Sequence, residues 1–234
     1  PAAADPADAQ AGAPAGPDDG AGVVEACKNF GAAINYAATN YEDFAYATAG
    51  LGDKLGAGDA IVFLAASGIH ANGLSLARKL AERLPKGYLT DIGNGQTYGD
   101  ALLAPTALYS PVTEALAAAG IVPHYSANVT GHGWRKLMRH PKTLTYRITA
   151  VPTKTAVLDF MQRECQLDDH EAYGTLNMGA GFALYLAAGD AARAVDIARS
   201  LGVEAMIAGQ VEDGPKRVLI DPLNVTFGGD ELQL

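Results

Sequence analysis

The chain has 234 residues, 49% of them apolar, enough to bury a domain-sized core. Its formal charge of −9 excludes the broad positive field that general nucleic-acid or anionic-membrane binding needs, although local positive sites remain open. The two cysteines, Cys27 and Cys165, lack metal-ligand spacing, which argues against a disulfide scaffold or a metal site and for a reducing, cytoplasmic setting.

Residues 1–22 contain only Ala, Pro, Gly, Asp and one Gln, so they have no large apolar group to offset their ordering entropy and read as a disordered tail. They have neither the basic start nor the apolar core of a signal peptide. Residues 23–51 are a poorly defined lead-in with Tyr36, Tyr41, Phe44 and Tyr46 scattered through it. No stretch of the sequence reaches the roughly 18 uninterrupted apolar residues of a membrane span.

From residue 58 strand and helix patterns alternate. Ile61 to Ala66 reads as a strand covered on both faces, and Leu76, Leu80 and Leu84 repeat at helical spacing behind it. Thr106 to Ala119 places Leu108, Val112 and Leu116 on one helical face, with Pro111 restricting the regular helix to the residues after it or kinking it. A strand over about Pro123 to Val129 leads into a short helix, Trp134 to His140, which Pro141 cuts. Leu144, Tyr146 and Ile148 alternate as a strand, and Lys154 to Cys165 is a helix with Val157, Leu158 and Met161 inward. Next come strand Gly179 to Ala187, helix Ala191 to Leu201 closed by Gly202, strand Ala205 to Val211, and a last strand, Lys216 to Ile220. This alternation predicts an α/β layered fold with a mixed sheet covered by helices.

Two junctions carry chemistry. Ser67, Gly68, His70, Asn72 and Gly73 form a polar turn between a strand and a helix, where unpaired N–H groups and the positive helix end favour a phosphate. Ser67 and Asn72 are equally suited to capping that helix with their own side chains. His70, with an ordinary pKa near 6.5, suits either phosphate donation or proton transfer and is the candidate catalytic residue. The second junction is Thr130, Gly131, His132 and Gly133, followed by the densest positive charge of the chain. There Arg135 and Arg139 share a helical face, as do Lys136 and His140, and the arginine fork suits phosphate. Parallel strands would put both turns on one sheet edge, converging on a single anion site. Asp168-Asp169-His170-Glu171 reads as a helix cap, because adjacent helical residues point apart. His124 and Trp134 read as core or edge residues.

Four collinear segments resemble one family. Ser67 to Lys79 with the preceding Leu55 to Val62, the stretch Leu103-Ala104-Pro105-Thr106-Ala107-Leu108-Tyr109, the loop Asn128 to Gly133, and Glu171 to Gly181 are similar to motifs of the AIR synthase (phosphoribosylformylglycinamidine cyclo-ligase) C-terminal domain. The likeness spans about 52–221 and leaves 222–234 as an extension. It implies ATP-dependent ring closure of formylglycinamidine ribonucleotide to aminoimidazole ribonucleotide in purine biosynthesis, with ATP and Mg as cofactors. It also implies a phosphoribosyl substrate and makes Asn177 a site-lining residue. Residues 1–51 show no counterpart of the family's N-terminal ATP-binding domain, so the ATP site is expected on a separate chain or across a homodimer. His132 stands where the family has glycine. Enzymes of the same superfamily, of the thiamine-phosphate kinase, selenophosphate synthetase or formylglycinamidine ribonucleotide synthase type, are the alternative, as is a non-catalytic phosphate-binding module.

Overall fold

A computed structural model describes residues 54–232. The expectations for 1–22 and 23–51 lie outside the described residues.

Among the described residues seven strands form one sheet in the order β2-β4-β1-β5-β3-β6-β7. They are β1 (Ala60–Ala65), β2 (Tyr125–Asn128), β3 (Leu144–Ile148), β4 (Ala180–Leu186), β5 (Ala205–Asp213), β6 (Arg217–Ile220) and β7 (Val225–Gly228). Within it only β3 and β6 pair in parallel, so the sheet is mixed, as the alternation predicted. β7 extends the sheet past Ile220, where the periodicity placed the end of the last strand. Its four residues come after an αL residue, Asn224, at the end of a single 3-10 turn. That is too short a run to show a period.

The helices are α1 (Leu74–Arg83), α2 (Tyr98–Leu102), α3 (Ser110–Ala118), α4 (Ala156–Glu164), α5 (Asp169–Thr175) and α6 (Ala191–Ser200). The sheet separates them into two layers. Ile61 and Phe63 join a large core with Leu80 of α1, Tyr98 of α2, Phe160 and Met161 of α4 and Tyr173 of α5. Val62 and Leu64 alternate to the other face of β1, where α6 packs on β1 and β5 and touches α3. Hence β1 is apolar at nearly every position, the pattern of a strand buried on both sides.

Two expected details differ. Leu108 is 76% exposed because α3 begins only at Ser110, with Pro111 in its first turn, so the helical face starts at Val112. Residues Gly133–Met138 form a 3-10 helix instead of an α-helix, a tighter winding with Trp134, Leu137 and Met138 fully buried. Asp168 caps α5 as expected, accepting from the Glu171 N–H at 2.8 Å while Glu171 reaches back to the Asp168 N–H at 3.2 Å.

Candidate functional site

β1 and β2 run in the same direction on either side of antiparallel β4, so their carboxyl ends emerge together where β4 begins. The expected shared edge is therefore present, although the two strands are next-nearest neighbours and not a parallel pair. The Ala66 N–H donates to the Gly179 carbonyl at 2.8 Å, and the Val129 N–H donates to the Gly181 carbonyl at 3.0 Å. The β1–β4 register slips there, since Leu64 pairs with Phe182 but Ala65 with Ala180, which leaves Gly181 as a bulge. A Cβ on Gly181 would collide with the Tyr109 hydroxyl and lie 2.9 Å from His70 Cε1, so only glycine fits.

The first turn is anchored from below. Ile69 is 2% exposed, a burial worth roughly 1.5–3 kcal/mol. The Asn177 side-chain amide donates to the carbonyls of Gly68 at 2.9 Å and Ile69 at 3.2 Å, and its oxygen accepts from the Gly179 N–H at 3.0 Å. Asn177 is fully buried, so the side chain expected to line the site instead holds the turn in shape.

Above this anchor the polar groups are arranged around His70. The Ser67 N–H donates to His70 Nε2 at 3.0 Å, and the Ser67 hydroxyl donates to the Pro105 carbonyl. Burial lowers the His70 pKa. An Nε2 that accepts a backbone hydrogen bond is unprotonated, so the neutral ring carries its proton on Nδ1. Neither Ser67 nor Asn72 caps α1, because Gly73 is the N-cap residue, at φ 74°, where a Cβ would strike Leu176. The first N–H groups of this ten-residue helix thus have no side-chain cap. Asn72 is 4% exposed, and its Nδ2 has no hydrogen-bond partner, a loss of about 1–3 kcal/mol unless something is supplied.

The second turn wraps the same anchor from the other side. The Gly133 N–H donates to the Thr130 carbonyl at 3.1 Å, and Trp134 Nε1 donates to the Asn177 carbonyl at 2.8 Å. Trp134 is buried edge-on against Phe63 and Tyr173, at 4.9 and 4.7 Å. Gly131 and His132 are exposed, and His132 adopts φ 73°. His70, His132 and Met178 are three non-glycine residues at positive φ, one on each segment that meets at this edge. Such conformations persist only where the surroundings impose them.

Arg135 does not turn to the site edge. Its guanidinium lies 5.4 Å from the Phe227 ring centroid, against Gly174, with Nε 4.0 Å from Glu231. The cause is β7, the strand that periodicity did not reveal, which brings an aromatic face and a carboxylate to that side. His140 is buried, not part of a solvated face with Lys136, and its ring meets Tyr125 edge-on at 5.0 Å. His124, read as a core or edge residue, pairs its Nδ1 with both oxygens of buried Asp59 at 2.9 Å, at the opposite end of β1.

Tyr109 was not among the expected site residues. Its hydroxyl donates to the Ala65 carbonyl at 2.8 Å, its ring stacks on Phe182 at 5.3 Å, and burial pushes its pKa far up. The signal was available in the Leu-x-Pro-Thr-x-x-Tyr spacing, which delivers Pro105 to Ser67 and Tyr109 to Gly181 together.

A mixed seven-stranded sheet between two helical layers, with two glycine turns meeting at one end, defines an α/β domain of the AIR synthase type. The chain belongs to that family: the model described as "AIR synthase related protein, C-terminal domain" matches residues 56–222. Among curated proteins, the phosphoribosylformylglycinamidine cyclo-ligase of Methanocaldococcus jannaschii is 37% identical over 164 residues, covering 69% of this chain and 47% of the relative. The cyclo-ligase of Anaeromyxobacter dehalogenans is 35% identical over 217 residues, 82% of this chain and 62% of the relative. The chain spans about half the length of the curated relatives it matches. Escherichia coli HypE, a hydrogenase maturation protein, shares the fold with a TM-score of 0.51 at 22% identity, over 75% of this chain and 50% of HypE. Among the described residues no helix is long and apolar enough to cross a membrane.

Proposed function

We propose that this chain carries the substrate-binding half of a cyclo-ligase that closes formylglycinamidine ribonucleotide to aminoimidazole ribonucleotide, a cytoplasmic step of purine biosynthesis. The phosphoribosyl end sits on the turn Ser67–Gly73 and the phosphate on the first N–H groups of α1. The observation that carries this reading is the uncapped amino end of α1 beside a buried, unpartnered Asn72 amide, at the edge where both glycine turns meet.

In this reading backbone donors bind the phosphate, and the glycines at 68 and 73 let the turn pack against Ala104 and Leu176. His70 keeps Nε2 bound to the Ser67 N–H and presents Nδ1–H as a neutral donor that orients the ligand. Tyr109, whose proton is committed to Ala65, positions the wall and moves no proton. Thr130, Gly131 and Gly133 supply the facing turn.

ATP and Mg enter only through the family. Among the described residues no group of three or more His, Cys, Asp or Glu is placed to hold a metal ion. A nucleotide-holding domain, on this polypeptide or a partner, or a second copy of the chain, completes the cleft in this reading.

Calorimetric titration tests it. The chain is expected to bind formylglycinamidine ribonucleotide and not its dephosphorylated form, and to show no turnover alone with ATP and magnesium. Equal affinity for both forms would remove the phosphate site, and robust turnover by the isolated chain would remove the division of labour.

A further inference from the structure

We propose that His132, and not Arg135, is the side chain by which the second turn contacts the ligand phosphate, a role for which the sequence offered both; the inference rests on the phosphoribosyl reading above. His132 is exposed, it stands between Gly131 and Gly133, and its imidazole has no partner among the described residues. Its φ of 73° costs backbone energy that a third glycine would avoid. The other cationic side chains of the second turn and of the 3-10 helix behind it are directed to other groups. Arg135 is turned to Phe227 and Glu231, with its Nε buried and without a hydrogen-bond partner, and His70, bonded to Ser67 through Nε2, belongs to the first turn. Lys136, Arg139 and His140 all have interactions of their own.

The position is also right. Ala66 and Val129 bond to Gly179 and Gly181 of one segment, so the turns leave the sheet two strand spacings apart, about 10 Å. A sugar phosphate is of that scale. A ligand phosphate seated at α1 would then meet backbone donors from one side and the His132 imidazole from the other. Asn72, with its buried unpartnered amide, independently marks the first side as built for a ligand.

The test compares wild type, His132→Gly and Ser67→Glu by thermal melting and by calorimetric titration with ribose 5-phosphate, using ribose as the control. His132→Gly is expected to melt at the same or a higher temperature, because strain is relieved, while its affinity for ribose 5-phosphate falls by about tenfold. Ser67→Glu sets a carboxylate on the first turn and is expected to abolish binding. Unchanged affinity in His132→Gly, with binding lost in Ser67→Glu, overturns the role of His132 and leaves the phosphoribosyl reading standing. A lowered melting temperature in His132→Gly makes the residue structural and also overturns the role. Wild type that binds ribose 5-phosphate no better than ribose overturns both.

Discussion

The buried side-chain amide of Asn177 donates to the Gly68 and Ile69 carbonyls, at 2.9 and 3.2 Å, from a position 109 and 108 residues further along the chain. With Trp134 Nε1 on its own carbonyl, Asn177 ties the two glycine turns to one point. Asn177→Asp replaces two donors by acceptors facing carbonyl oxygens. The expected cost is about 2–4 kcal/mol, the sum of lost hydrogen bonds and buried unpaired groups. Urea unfolding measures it, and a change under half of that would mean the turn holds its shape without the amide.

At the bulge, Gly181→Ala forces a methyl group onto the Tyr109 hydroxyl and the His70 ring. Overpacking of this kind costs about 1–3 kcal/mol. Tyr109→Phe removes the obstructing oxygen, so the double variant is expected to be less destabilised than the sum of the two singles. Strict additivity in a double-mutant cycle would show that the methyl group meets something else.

His70 has a folded-state pKa below its ordinary 6.5 because of burial. Below pH 6.5 the unfolded chain takes up a proton that the folded chain refuses, so stability falls as pH drops from about 6.5. His70→Asn, which tolerates the φ of 54° at this position, is expected to flatten that part of the profile. NMR titration of the imidazole checks the premise, and a His70 midpoint at or above 6.5 would contradict it.

The Asp168–Glu171 capping box predicts a local effect away from the site. Asp168→Ala removes the acceptor of the Glu171 N–H and is expected to cost about 1 kcal/mol. Chemical denaturation reads this, and ligand affinity should not change.

Much of the layered fold was legible because hydrophobic periodicity is a local property. The both-sides-buried run of β1, the alternating Leu144, Tyr146 and Ile148, and the cap at Asp168 each depend on a few neighbouring residues. The first turn was also legible as a strand-to-helix junction with glycines, though not its N-cap, since Gly73 became essential only when Leu176 arrived from across the chain.

The division of labour at the site was not local. The family resemblance made Asn177 a candidate, and charge beside a glycine turn made Arg135 one, but a side chain's direction depends on what distant segments offer it. Asn177 found two carbonyls from the first turn, and Arg135 found Phe227 and Glu231 at the far edge of the sheet. The sequence by itself determined the family, through four collinear motifs, and the order of most elements and the two glycine turns, because periodicity and turn chemistry act over a few residues. Tertiary structure alone decided that β4 brings those turns together, that Gly181 must lack a side chain, and that Asn177 is scaffold, because each depends on hydrogen bonds and close contacts between segments tens of residues apart.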